Sequence, residues 1–280
     1  MMTATIGIVE ERRIRDWAKG CGSDVVLSYA TAGHTMDEAF VAFVEALCDL
    51  APNVKAKRDG DVQVPRPTLF AGPRVAYQAL PLDRELDPFL NFLGDPAGFA
   101  QSLAPAVRRQ LEQLPMPAPI KIYITAHCPF CPSVVATLLG FAAASEQVRV
   151  TVIDGERFAD AAQEDRILSA PTTILDDQFR WTGAPDAAEL AAMMVDRDPA
   201  GLGGAALKSM IEEGQAEAVA QMMVRRGLLF PAFVALLADA RWSVRLGAMV
   251  AFESLAETDA TLAGSVADPL LATYAAAGTR

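Results

Sequence analysis

The chain has 280 residues, of which 52% are hydrophobic and 21% charged, with 19 glycines and 18 prolines. This is the composition of folded domains with ample core, two or three by length, and it excludes a disordered or collagen-like chain. A net charge of −11 repels phosphate backbones and anionic lipid, so neither nucleic acid nor a membrane surface is an expected partner, and four cysteines are too few for a disulfide scaffold.

Residues 1–9 have neither the basic segment nor the apolar core of a signal peptide. No later run approaches the ~18 apolar residues that a membrane helix needs. A cytoplasmic, reducing location is therefore expected, where a close cysteine pair serves catalysis or metal binding. Residues 7–20 read as a short helix, with Ile8, Ile14 and Trp17 among charges and Gly20 and Gly22 ending it. Val25–Ala30 reads as a strand. Met36–Leu50 reads as a helix carrying Phe40, Phe43, Val44 and Leu47 at helical spacing. Strands are expected at Val54–Lys57, Pro67–Phe70 and Arg74–Leu80, and a closing helix at Arg84–Phe92.

Residues 114–119 carry proline at every second position and are expected as a linker, since such a run continues no helix. The same order of elements then returns. Ile120–Thr125 is a strand, Pro132–Ser145 a helix and Val148–Ile153 a strand. Phe158–Ile167 is an added helix, Thr172–Leu175 and Phe179–Thr182 are strands, and Ala187–Val195 closes the run. Laid over the first run, the second puts Pro67 on Pro171, Thr68 on Thr172 and Glu85 on Glu189. Asp59-Gly60 falls on Asp154-Gly155, which leaves an insertion between Asp154 and Pro171. The match indicates duplication.

After Asp198 everything reads helical, in segments 207–211, 216–224, 228–238, 244–256 and 270–274 separated by Gly214, Gly227, Asp239 and Asp259. Short helices on short loops suggest stacked hairpins, and the stretch from Asp239 to Arg245 resembles a HEAT repeat. The expected fold is α/β, with a first unit over 1–113, the linker at 114–119, a second unit over 120–199 and an all-α, HEAT-like domain over 200–280. Trp242 and Arg245 read as hairpin packing with an internal ion pair, and Met210, Met222, Met223 and Met249 as core.

The chemistry centres on Cys128-Pro129-Phe130-Cys131, at a strand–helix junction. Free amides and the macrodipole at a helix start favour an anion, which lowers the pKa of Cys128 and activates it as a nucleophile. Pro129 is expected at the first helical position. Cys131, one turn on and less exposed, is placed to resolve a mixed disulfide. Phe130 is either a docking surface or a cover over the sulfur. A zinc site would need four ligands. Only Cys21, Cys48, His34 and His127 remain to complete one, so the redox reading is favoured and no metal is expected. Cys48 reads as a small core residue, and Cys21 as a bystander. His127, just before the nucleophile, is either a loop residue or a charge that lowers the thiol pKa. Pro171 opens a strand where proline cannot donate to a ladder, which a cis Ala170–Pro171 bond would explain. Such a bend leaves the backbone of Ala170 open to an extended peptide.

The strand, CPFC motif, helix and later Ala-Pro-Thr strand resemble the thioredoxin/glutaredoxin superfamily. The tandem arrangement over roughly 5–197 is similar to two-unit protein disulfide oxidoreductases and to the N-terminal domain of the alkyl hydroperoxide reductase flavoprotein subunit. The resemblance implies two tandem thioredoxin-like folds. It makes Cys128 the attacking thiol, Cys131 the resolving thiol and Pro171 the cis-proline. Gly33–Met36 stand where the first unit would carry cysteines, and Pro67 holds that unit's cis-proline position. Thioredoxins bury an acid on the strand before the motif. Here Ile122 stands there and supplies no proton acceptor. Ser169-Ala170-Pro171 and Thr182-Gly183 depart from the glutathione-binding pattern. No Gly-x-Gly-x-x-Gly fingerprint follows a strand, so no cofactor is expected on this chain. The implied function is thiol–disulfide exchange with protein substrates in cell redox homeostasis. An external flavoprotein reductase would renew the dithiol, and a protein partner would dock on the helical domain. The alternative is a redox-responsive adaptor, whose cysteine pair switches partner affinity without turnover.

Overall fold

The computed structural model describes residues 6–277. They form two compact units. One comprises the chain up to Gln113 with Ile120–Ile174 and Arg180–Ala192; the other comprises Leu114–Pro119, Leu175–Phe179 and the chain from Met193 onward.

The first unit is built on a mixed sheet. Its first half contains α1 (Ile8–Gly20), β1 (Val25–Ala30), α2 (Asp37–Leu50), β2 (Val54–Arg58), β3 (Thr68–Phe70), β4 (Val75–Gln78) and α3 (Leu86–Gly94). After α4 (Pro96–Ser102) and α5 (Pro105–Glu112) come β5 (Ala118–Ile124), α6 (Cys131–Ala144), β6 (Val148–Asp154), α7 (Ala159–Glu164), β7 (Thr172–Leu175), β8 (Phe179–Thr182) and α8 (Ala187–Val195). The strand order is β2-β1-β3-β4-β6-β5-β7-β8, so each half repeats one spatial pattern. β1 pairs parallel with β2 and antiparallel with β3, and Leu69 of β3 lies opposite Tyr77 of β4. The halves join where β4 runs parallel to β6, with Val75 opposite Val150. This is the duplication expected from the sequence.

α4 and α5 were not expected. Each carries a proline in its first turn, where the missing N–H is harmless. Asp95 caps α4 by accepting from the Gly98 N–H at 2.9 Å. The stretch read as a linker contributes the buried residues Leu114, Met116 and Ala118, and β5 begins at Ala118. Pro67 has a trans bond: among the described residues the cis peptide bond is Ala170–Pro171.

The second unit carries α9 (Gly204–Glu212), α10 (Ala216–Arg226), α11 (Pro231–Leu236), α12 (Trp242–Thr258), α13 (Ala260–Gly264) and α14 (Ala267–Ala277). α10 packs on α12 and α9 on α11. Leu207, Met210, Met223, Phe233, Val244, Ala248 and Leu255 meet in its core. Gly227 ends α10 in the left-handed conformation, with φ 58°. α13 escaped the sequence reading because Asp259 looked like a separator; its carboxylate caps the new helix through the Leu262 N–H at 2.9 Å. Met249 and Trp242 are corrections, being 47% and 64% exposed. Arg245 makes no ion pair among the described residues. It donates to the carbonyls of Asp239 and Ala240, with its guanidinium 5.6 Å from the centre of the Trp242 ring.

One buried ion pair organises the second unit. Asp176 lies in the β7–β8 turn with φ 53°, and its carboxylate accepts from Arg197 at 3.1 Å and from the Gly203 N–H at 3.0 Å. Arg197 also donates to the Pro117 carbonyl at 2.6 Å. Burial pushes the Asp176 carboxyl up and the Arg197 guanidinium down. The pair and the amide donors oppose that, so both groups depend on each other. A Cβ at Gly203 would lie 2.5 Å from the Asp176 carbonyl oxygen, so the approach requires glycine. Removing one partner of such a pair strands a buried charge. Arg197→Met should lower stability by about 3–5 kcal/mol, while Asp176→Ala with Arg197→Met should lose less than the sum of the single changes. Urea unfolding followed by tryptophan fluorescence measures both, and a loss below about 1 kcal/mol for Arg197→Met would remove the pair from this role.

Candidate redox-active site

β5 delivers the site. Ile122, Tyr123 and Ile124 are buried, and the strand ends in a loop from Thr125 to Phe130. The Cys128 N–H closes that loop by donating to the Thr125 carbonyl at 3.2 Å. α6 follows and is apolar on all sides, with Val134, Val135, Leu138, Leu139 and Phe141 buried, as befits a helix enclosed in its domain. At Gly140 an added Cβ would meet the Phe99 carbonyl at 2.9 Å, so α4 lies directly against it.

Cys128 and Cys131 are disulfide-bonded, with Cα atoms 5.5 Å apart. Cys131 is fully buried and Cys128 8% exposed, so Cys128 is the outer sulfur, as expected. The Cys131 N–H donates to the Cys128 sulfur at 3.1 Å. The helix begins one residue before the expected Pro132, and the placing of Pro129 in its first turn is corrected. α6 begins at Cys131 and Phe130 is its N-cap, so Pro129 lies outside the helix and Pro132 takes the first turn. What faces the outer sulfur is therefore one directed amide hydrogen bond.

The cis peptide lies at the same end of the sheet. The Asp176 N–H donates to the Pro119 carbonyl, which runs β7 antiparallel to β5 and brings Pro171 to the end of β5 that leads into Cys128. Pro171 is buried and its carbonyl accepts from the Gly183 N–H at 2.8 Å. Ala170 is half-buried, and neither its N–H nor its carbonyl is hydrogen-bonded among the described residues. Phe130 is 66% exposed and Leu168 98% exposed. Leu168 was missed, because a lone leucine in a loop gives no periodic signal.

A cleft of about 670 Å³ opens beside the cysteine loop, lined by His127, Pro129, Ser133, Arg13, Arg84 and Asp87 among others. His127 is exposed. Between Arg84 and Asp87 stands Glu85, which is 5% exposed with both carboxylate oxygens lacking a hydrogen-bond partner. Burial raises its pKa from 4.5 to about 7. The sequence showed Glu85 only as a match to Glu189. Ile122 is buried, and as an isoleucine it supplies no acid at that position of β5. His34 packs on Phe158 and accepts from the Met36 N–H. Burial pushes the Cys48 thiol up, and the Cys21 thiol donates to the Ser23 carbonyl. Among the described residues, no three His, Cys, Asp or Glu side chains converge as a metal site, and no helix is long and apolar enough to cross a membrane.

A cis-proline strand beside a buried dithiol pair at a strand–helix turn defines a thioredoxin-fold disulfide protein. Residues 118–195 match the family model of the thioredoxin domain. The chain is 24% identical over 194 residues to an NADH dehydrogenase of Ferdinandcohnia aciditolerans, covering 63% of this chain and 36% of that protein. It is 28% identical over 128 residues to an alkyl hydroperoxide reductase component of Xanthomonas campestris pv. phaseoli, covering 44% and 24%. It thus spans little more than a third, at most, of the curated relatives it matches. In structure it is similar to the N-terminal domain of the alkyl hydroperoxide reductase of Enterococcus faecalis, with TM-score 0.57, 16% identity and coverage of 68% and 100%. A protein disulfide oxidoreductase from Aeropyrum pernix has TM-score 0.60 at 16% identity, with coverage of 68% and 92%. These structural likenesses show the fold.

Glu85 links stability to pH. Folded, it keeps its proton up to about pH 7; at its ordinary value it would lose it near 4.5. Between those values the folded chain holds more protons, so its stability falls as pH rises through 7. Glu85→Gln should abolish on the order of 3 kcal/mol of that decline, read as a flattened profile of unfolding free energy from pH 5 to 8. An unchanged slope would show that Glu85 ionises without cost.

Proposed function

We propose that the chain is a protein dithiol–disulfide oxidoreductase. The Cys128 thiolate attacks a substrate disulfide, forms one new S–S bond and expels a substrate thiolate, which takes up a proton. The Cys131 thiolate then attacks the Cys128 sulfur, releases the second substrate thiol and closes the Cys128–Cys131 disulfide. Two electrons have passed to the substrate, and an external flavoprotein reductase returns them with two protons. The carrying observation is the Cys131 N–H on the sulfur of the more exposed cysteine, because that amide stabilises Cys128 both as attacking thiolate and as leaving group. Pro129 and Phe130 on one side, and Ala170 and Pro171 on the other, form the substrate-binding rim. The unpaired backbone of Ala170 is open to an extended segment, and Phe130 and Leu168 offer it apolar contact. A cytoplasmic location suits a pair that cycles through the dithiol. The likeness to alkyl hydroperoxide reductase components supports a flavoprotein as the electron source.

The purified chain should reduce insulin disulfides with dithiothreitol, and Cys128→Ser should abolish turnover; retained turnover ends the proposal. Cys131→Ala should trap substrates as mixed disulfides, whereas the adaptor reading forecasts one stable partner held without a covalent bond. Phe130→Ala combined with Leu168→Ala should raise KM about tenfold with kcat little changed, as loss of apolar contact on the order of 1.4 kcal/mol requires.

A further inference from the structure

The first unit contains the strand–helix turn twice, and in its first half the turn is closed. Arg66 precedes Pro67 there as Ala170 precedes Pro171 in the second half. The Asp37 carboxylate fills the free amides of Ala32, Gly33 and His34. Both turns lie at one end of the sheet. β1 and β4 run the same way, each antiparallel to β3, and β4 runs parallel to β6. The ends of β6 and β5 then meet where the Gly155 N–H donates to the Ile124 carbonyl at 3.0 Å.

The segment from Gly155 to Ala170, the insertion that the first half lacks, crosses from the end of β5 to the closed turn and back. Phe158 is fully buried, its ring centred 5.3 Å from that of His34 and 6.3 Å from that of Phe40, separations at which aromatic rings attract. Asp160, in the first turn of α7, pairs with Arg66 at 2.7 Å, and that guanidinium holds its carboxyl below the usual carboxylate range. Asp160 is 68% exposed, so the pair alone is weak and acts together with the ring packing. α7 ends at Glu164, and the chain turns back through Arg166 in the left-handed conformation, φ 53°. There the second half takes hold. The Tyr123 hydroxyl donates to the Asp165 carboxylate at 2.6 Å, and Arg180 to the Asp165 carbonyl at 2.5 Å. Leu168 and Ala170 follow directly.

We infer that His34 and Arg66, at the closed turn of the first half, are positioning residues for substrate binding in the second: they fix the start of α7, and with it the aim of Leu168 and Ala170. The inference rests on the dithiol–disulfide reading and adds what sets affinity for a protein substrate. It gives the half without redox cysteines a task. A protein disulfide must lie along the rim to reach Cys128, and a rim already ordered at both ends of α7 loses less freedom on binding. Held by Tyr123 and Arg180 alone, the rim still folds but binds more weakly, because binding must order it. A small disulfide reaches the sulfur without the rim and is indifferent to it.

His34→Ala combined with Arg66→Met tests this. The insulin KM should rise about fivefold with kcat within about twofold, while the single-turnover rate of the reduced chain with bis(2-hydroxyethyl) disulfide stays unchanged. His34→Phe with Arg66→Lys keeps the ring and the charge and should restore the insulin KM to within about twofold. In the oxidised double variant the amides of residues 159–168 should exchange about fivefold faster, and those of β5 and α6 at the wild-type rate. Asp160→Asn, at an exposed side chain, should give the same two effects at about twofold and serves where the double variant unfolds. An unchanged insulin KM overturns the inference, as does a raised KM without faster exchange over 159–168. Parallel losses against both disulfides also overturn it, since they mark a structural role. A wild-type chain that reduces neither disulfide fails the oxidoreductase reading itself, and the positioning role with it.

Discussion

The structure depends on one short turn, in which the chain leaves β5 and enters α6 with the Cys131 N–H bonded to the Cys128 sulfur. α6 is packed along most of its length, down to the close backbone contact at Gly140, and its first residue is fully buried. The loop before it bends outward. Two cysteines in one motif thus become inequivalent: one meets solvent and one does not. That asymmetry, and not the spacing alone, orders the proposed steps, since an incoming disulfide reaches the outer sulfur first.

The duplication shows what the other half did with the same geometry. The turn from β1 into α2 also presents a cluster of free amides. There the Asp37 carboxylate accepts from the N–H groups of Ala32, Gly33 and His34 at 3.0, 2.8 and 3.1 Å. An anion site formed by strand–helix geometry is filled permanently by the chain's own side chain. In the second half the Cys131 amide donates to the Cys128 sulfur. The first half adds a different kind of group, the buried Glu85, whose oxygens have no partner and whose proton is lost only near neutrality.

Legibility followed the range of the interaction. β1, β8 and α8 fall where local periodicity put them, because their residues alternate or recur against one core. The cis Ala170–Pro171 bond was legible because proline opening an inner strand has few explanations. α4 and α5 are short and each opens on a proline, which marks a helix start as readily as a break. The helix over Pro132–Ser145 was legible to within a residue, whereas Pro129 was placed in its first turn because Pro129 and Pro132 are equivalent in a pattern. The Asp176–Arg197 pair joins residues far apart along the chain, and Glu85 is buried by elements that no local window contains. Neither leaves a mark on sequence periodicity.

α12 shows a different limit of such patterns. Its apolar residues on both faces read as core, and on one face that reading holds. Amphipathicity says that a side chain avoids water; it does not say which molecule covers it. Trp242, Leu246, Met249 and Val250, four large exposed side chains in register on an otherwise acidic, well-charged chain, exceed the scattered exposed leucines that any surface carries.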